Sequence, residues 1–335
     1  MAALLAAARA PFDRAEWWDG LARHCDITPR YALARHADGS AALFPLTCAG
    51  GVARPLANWY TFRWRPLVSP GADAPALLAA LGADLARRCW RIELDHLPGE
   101  DGTAQSLAEA LRASGWRVAM SQHDINHVLP VAGRSHAAYL AARPGPLRST
   151  LKRKAGRVAC AVLTRFCPEA WAAYEAIYAA SWKGEEGSPA FLRAFAEAEG
   201  AAGRLRLGLG RIDGQPVAAQ LWTVEGGTAF IHKLAYREEA RAHSPGTALT
   251  AALMAHVIDT DRVDLVDFGT GDDPYKRDWM EQARPRYRIS ALRPADPRSW
   301  PHLARALASK ARAALPPRPG TARGAPLLFD GQRPQ

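Results

Sequence analysis

Apolar positions along this chain recur with two periods, one helical and one of strands. At residues 12–24, Trp17, Trp18 and Leu21 share one helical face. Period-two runs follow at 31–35 and 41–47, joined by Ala37-Asp38-Gly39-Ser40; Asp-Gly between such runs signals a hairpin. An aromatic-rich stretch, 56–67, runs into a loop at Pro66. Residues 75–90 predict a helix, with Leu77, Leu78, Leu81 and Leu85 at helical spacing and Arg87 and Arg88 at its negative end. A short strand at 91–94, a helix at 103–114 stopped by Gly115, and a mostly extended run at 116–129 complete this stretch.

A second cycle opens with a short helix at 135–142 and a break at Pro144-Gly145-Pro146. A basic stretch, 147–157, precedes a strand at 158–166, and helices at 168–182 and 191–199 carry Trp171, Tyr174, Ile177 and Tyr178 among their apolar positions. Three antiparallel-looking strands come next, at 205–212, 215–224 and 228–236, with Asp213-Gly214 and Glu225-Gly226-Gly227 as turns. A polar loop leads to Ser244-Pro245-Gly246-Thr247, an apolar helix, a strand at 263–268 and an acidic turn. A last helix, 300–315, presents Trp300, Leu303, Leu307 and Ala311 on one face behind Ser299 as cap.

The order of elements predicts an α/β protein of two similar domains in tandem, mixed sheets flanked by helices. Its expected units are 1–130, 131–295, and a helix with a disordered basic tail over 296–335. A chain of 335 residues is long for one domain and comfortable for two of about 150 each.

Composition narrows the picture. No run approaches the roughly 18 apolar residues of a membrane span. Residues 1–9 lack the basic start of a signal peptide, so the reading is a cytoplasmic protein with no integral membrane segment. The five cysteines show no C-x-x-C pair, which predicts reduced thiols and no metal site. Cys160 or Cys167 as a nucleophile would need a histidine partner. Seven basic and two acidic residues lie from Asp296 onward, so about half of the net charge of +10 sits in the last 40 residues. The remainder is modest and suits a polyanionic ligand such as a coenzyme.

Candidate chemistry concentrates in residues 228–279. Gly246 permits close backbone approach, and helix-opening amides with the Ser244 and Thr247 hydroxyls favour an anion; an ordinary capped helix start is the other reading. Strand alternation sets Phe230, His232, Leu234 and Tyr236 on one face and Ile231, Lys233 and Ala235 on the other. Lys233 either reaches an anionic group or snorkels to solvent, and His232 is either a general base or a structural histidine. In the acidic turn, Asp267, Asp272 or Asp273 can take a proton from an attacking amine, unless Asp272 and Asp273 only cap the next helix. Tyr275 can protonate a leaving thiolate, and Lys276 can hold a phosphate or an oxyanion. The cluster from Arg148 and Lys152 to Arg157 is either a solvated helix face or the entry for an anionic substrate.

Two stretches, GQPVAAQLWTVEGGTAFIHKLAYREEARAHSPGTALTAALMAHVID and VDFGTGDDPYKRDW, resemble the GNAT acyltransferase superfamily, in particular its CelD-type and FemAB-like tandem branch. The resemblance covers about residues 130–293 and extends weakly over 12–130. It implies that the strand containing Leu234 and Ala235 presents backbone groups to the acyl-CoA arm. It also implies that Ser244, Pro245, Gly246 and Thr247 bind the pyrophosphate, and that Tyr275 protonates the CoA thiolate. The family's usual Arg/Gln-x-x-Gly-x-Gly/Ala loop is replaced here by residues 242–247.

The expected function is acyl-CoA-dependent N-acyl transfer, with acetyl-CoA or another acyl-CoA as co-substrate and an amine of a sugar or cell-envelope precursor as acceptor. One rival keeps the fold and uses aminoacyl-tRNA, which the basic residues favour and the missing helical arm of such FemAB enzymes opposes. The other is a GNAT scaffold without catalysis.

Overall fold

The computed structural model describes residue 4 and residues 8–314. The expected disordered end beyond residue 314 lies outside the described residues.

Among the described residues, twelve strands form one continuous sheet. In chain order the elements are α1 (Ala15–His24), β1 (Arg30–Arg35), β2 (Ala41–Ala49), β3 (Val52–Pro55), β4 (Leu67–Val68), α2 (Ala74–Arg88), β5 (Arg91–Pro98), α3 (Thr103–Ala113) and β6 (Arg117–Pro130). Then come α4 (His136–Ala141), α5 (Gly145–Lys154), β7 (Ala159–Leu163), α6 (Pro168–Ala179), α7 (Pro189–Ala201), β8 (Leu205–Ile212), β9 (Gln215–Glu225) and β10 (Thr228–Tyr236). The chain continues through α8 (Pro245–Ala255), β11 (Leu265–Thr270), α9 (Pro274–Trp279), β12 (Gln282–Leu292) and α10 (Trp300–Ala314).

The sheet runs β1-β2-β3-β5-β12-β6-β11-β10-β9-β8-β7, with β4 beside β2. The pairs β3–β5 and β10–β11 are parallel; the other pairs are antiparallel. This is the mixed α/β architecture expected of tandem GNAT units, and segments from both ends of the chain cross the expected boundary at residue 130. The strand β12 sits between β5 and β6 in the N-terminal half, where Ile289 and Ala291 are fully buried beneath α2 and α3. Conversely, Phe12, Trp17 and Trp18 pack with α6 and α7 in a C-terminal core. Each half therefore borrows apolar surface from the far end of the chain.

Three residue-level expectations also change. The stretch 144–146 is no break: α5 begins at Gly145, because Pro146 in the first turn lacks only an amide hydrogen that would have had no intrahelical partner. Strand β12 was not foreseen, although Pro285, Tyr287, Ile289 and Ala291 alternate with Arg284, Arg286, Arg288 and Ser290. The arginines masked it. On β10 the alternation breaks at His232, where Ile231 pairs with Trp222 but Lys233 pairs with Leu221. This bulge sends His232 and Lys233 to the same side of the sheet, and Leu234 and Tyr236 to the other.

Candidate functional site

The parallel strands β10 and β11 pair only at Thr228–Leu265, Ala229–Val266 and Phe230–Asp267. Beyond these positions no pairing joins them, and a cleft of about 690 Å³ borders both strands. The strands contribute Leu234, Tyr236 and Phe268, α8 contributes Gly246 and Thr247 behind Ser244, and α9 contributes Tyr275 and Lys276 behind Asp273. Trp182, Lys183 and Arg241 close the rim, and the Trp182 ring lies 4.4 Å from that of Tyr236.

The opening of α8 suits an anionic group. Ser244 has a positive φ of 51°, and no side chain caps the helix. The Ser244 hydroxyl instead accepts from Lys154 Nζ at 3.3 Å, and the same ammonium donates to the Ala242 carbonyl at 2.8 Å. Added to Gly246, a Cβ would lie 3.2 Å from the Tyr236 ring, so the turn is tight against the cleft wall. Lys183, Arg241 and Lys276 supply positive charge against the one carboxylate, Asp273. The donor set therefore fits the phosphates of a coenzyme or of another polyanion.

Tyr275 stands against the first turns of α8. Its hydroxyl is 2.9 Å from Thr250 Oγ1, which accepts from Gln220 Nε2 at 2.7 Å and lies 3.0 Å from the Gly246 carbonyl. Burial pushes the Tyr275 phenol up to about 12, against the opposing hydrogen bonds of Thr250 and Thr247. It is thus protonated across the physiological range and suited to donate a proton. Lys276 donates to the Gly269 and Thr270 carbonyls and lies 5.5 Å from the centre of the Phe268 ring, with burial lowering its pKa. Asp273 caps α9 by accepting from the Tyr275 amide at 2.7 Å.

Other expected residues lie elsewhere. His232 is boxed by the rings of Phe12, Phe62, Phe195 and Phe230 and bonded to Thr223 Oγ1 at 2.8 Å. Burial lowers its pKa to about 3, which keeps it neutral, and it lies outside the cleft lining. Asp267 accepts from Asn126 Nδ2 at 2.9 Å and the Gly269 amide at 2.8 Å, and is buried outside the cleft lining. Asp272 is bound to Arg277 and His127. Lys233 neither snorkels nor faces the cleft, because it pairs with Glu186 at 2.7 Å over the Tyr60 and Tyr178 rings.

Ala235 and Pro245 are buried and do not line the cleft. Arg148 and Lys152 are exposed, one position beyond the buried Leu147 and Leu151 on α5, and Lys154 is the residue of that cluster that reaches the Ser244 turn. Cys160 and Cys167 line no part of the cleft.

The sequence did not single out Gln220, Thr250, Trp182, Lys183 or Arg241. A signal existed for two of them. Gln220 interrupts the apolar run from Pro216 to Trp222, and Thr250 lies one helical turn after Gly246.

Residues 147–277 match the acetyltransferase (GNAT) domain family. No curated protein matches the chain. Among solved structures, the chain is similar to FemX at 12% identity and a TM-score of 0.59, over 82% of this chain and 90% of that one. The C-terminal DUF2156 domain of a protein of Agrobacterium fabrum, assigned as a lysylphosphatidylglycerol synthetase, gives 14% and 0.58, over 92% and 93%. A tandem GNAT protein from the clavulanic acid biosynthesis pathway gives 17% and 0.51, over 88% and 94%. These three likenesses concern the fold. The family match places a GNAT domain, which moves acyl groups, on residues 147–277 around the cleft, within a chain whose fold is like that of tandem GNAT structures.

Proposed function

We propose that the protein is an acyl-CoA-dependent N-acyltransferase, with acetyl-CoA or another acyl-CoA as donor and the amine of a small molecule or cell-envelope precursor as acceptor. The observation that carries this reading is the uncapped start of α8, which opens beside Lys183, Arg241 and Lys276 in the same cleft as the half-buried Tyr275. The donor would supply an activated thioester. The α8 amides and Arg241 would hold its phosphates, and Leu234 and Tyr236 would flank its arm along β10. When Thr250 donates to Tyr275, the phenol proton is free to pass to the departing sulfur. When Thr250 donates to the Gly246 carbonyl instead, Tyr275 donates to Thr250 and is held in reserve.

The proton leaving the amine needs a base, and neither His232 nor Asp267 reaches the cleft. Lys183 does. Although the residue is exposed by surface area, loss of solvation around its ammonium and repulsion from Lys233 hold it down to about 8. It is therefore partly neutral just above neutral pH, and we assign it the role of base.

Calorimetric titration of acetyl-CoA into the wild type and into Gly246→Trp tests the donor site. Micromolar binding that the variant loses is the expected result, since the new side chain would fill the turn against Tyr236. Absence of binding for acetyl-CoA and for longer acyl-CoAs would overturn the reading. Aminoacyl transfer abolished by ribonuclease would then favour the tRNA-dependent alternative, which the exposed basic residues of α5 support.

A further inference from the structure

A second cavity, of about 560 Å³, lies between α6, the start of α7 and the loop 180–188 that joins them. Its walls carry the rings of Trp171, Tyr174 and Tyr178 and the carboxylates of Glu175, Glu185 and Glu186, and no basic residue lines it. Lys233 approaches from behind and offsets one of these charges through Glu186, so two remain uncompensated. Aromatic faces with uncompensated carboxylates make a receptor for an organic cation.

Hydrogen bonding narrows the class. Glu186 Oε1 accepts from Lys233 Nζ and from the Tyr60 hydroxyl, each at 2.7 Å, but Glu186 Oε2 is buried with no partner. The hydroxyl of Tyr174, a residue only 2% exposed, is also buried and unpartnered. Glu175 spends one oxygen on Trp171 Nε1 at 2.8 Å and keeps the other. A buried carboxylate oxygen without a donor is costly, and the missing complement is an N–H. A primary ammonium supplies three, whereas a quaternary ammonium supplies none.

We propose that this cavity binds the primary ammonium end of the acceptor, an alkylamine whose cation rests among Trp171, Tyr174 and Tyr178 with its N–H groups on Glu175 and Glu186. Calling the ligand the acceptor rests on the acyltransferase reading; the cation site itself does not. The cavity and the donor cleft share the loop 180–188, since Trp182 and Lys183 face the cleft while Gly184, Glu185 and Glu186 face the cavity. The anchored ammonium is protonated and is not the nucleophile, so such an acceptor would carry a second amine past the loop 180–188 to reach the cleft.

The test is titration of the full chain with n-butylamine at pH 7, followed by tryptophan fluorescence and calorimetry, with n-butanol and tetramethylammonium as comparison probes. Saturable binding of butylamine is expected, with tetramethylammonium weaker and butanol silent. In Glu175→Gln/Glu185→Gln, whose altered residues are partly exposed, affinity should fall by about fivefold or more. Butanol binding as tightly as butylamine, no saturable butylamine binding, or unchanged affinity in the double variant would overturn the proposal. Acetyl-CoA binding measured on the same samples separates the two claims. Its loss with amine binding kept sinks the donor reading alone, and the reverse result sinks only the cation site.

Discussion

In the proposed reaction, Tyr275 and Lys183 would divide the proton work by what surrounds them. The phenol, buried against Thr250, is held too high to act as a base at neutral pH, while the Lys183 ammonium is held low enough to give up its proton there. Tyr275→Phe removes a hydroxyl and little volume. It should leave donor affinity within about twofold and lower kcat by roughly 10²-fold, measured by steady-state release of free CoA. Unchanged kcat would remove Tyr275 from the chemistry. For Lys183 the active form is deprotonated, so kcat/KM should rise with pH and level off above about 8. Lys183→Arg keeps the charge and cannot deprotonate, so that limb should vanish along with most of the rate. A limb that stays at the same pH in the variant would assign it to the acceptor amine instead.

At the scale of elements, the bulge in β10 decides which residues face the cleft. It turns Leu234 and Tyr236 to the cleft and commits His232 and Lys233 to the opposite face. His232 then becomes a source of acid sensitivity. Its folded-state pKa, about 3, lies below its ordinary 6.5, so between these values the unfolded chain binds a proton that the folded chain does not. The stability tied to its neutral form is complete above pH 6.5 and declines as pH falls toward 3. By pH 4.5 the loss should be roughly 2–3 kcal/mol. Melting curves from pH 7 to 4.5 should therefore fall less steeply for His232→Phe than for the wild type, and parallel curves would contradict the assignment. The same residue change should leave the pH profile of activity unmoved.

At the scale of the molecule, β12 ties the ends of the chain together. It pairs with β6 over 282–292 and with β5 over 286–292, and it carries the buried Arg286 to Glu100 at 2.8 Å. Residues 8–130 alone would leave facing edges of β5 and β6 unpaired and the apolar undersides of α2 and α3 partly bare. That fragment is expected to be a poorly structured aggregating chain. Supplying a peptide of residues 280–294 should restore dispersed amide signals in its NMR spectrum. A well-folded fragment without the peptide would refute this account.

Much of this protein was legible from local pattern. Alternation and helical spacing located α2, α3, α6 and β8–β10, because binary patterning reflects which face each element buries. Ser244–Thr247, Tyr275 and Lys276 stood out because a glycine turn before an apolar helix, and a tyrosine and lysine after a strand, limit their own surroundings. What pattern could not reach depends on residues distant in sequence. His232 and Asp267 look like bases by type, and only the tertiary structure shows that rings enclose the first and the Asn126 amide binds the second, both outside the cleft lining. Lys183 and Gln220 enter the site, and β12 enters the other half, through contacts that no neighbouring residue encodes. Local sequence determines which elements form and which faces they bury. Long-range packing decides which polar groups remain free to react, since desolvation and pairing depend on whatever the fold brings near.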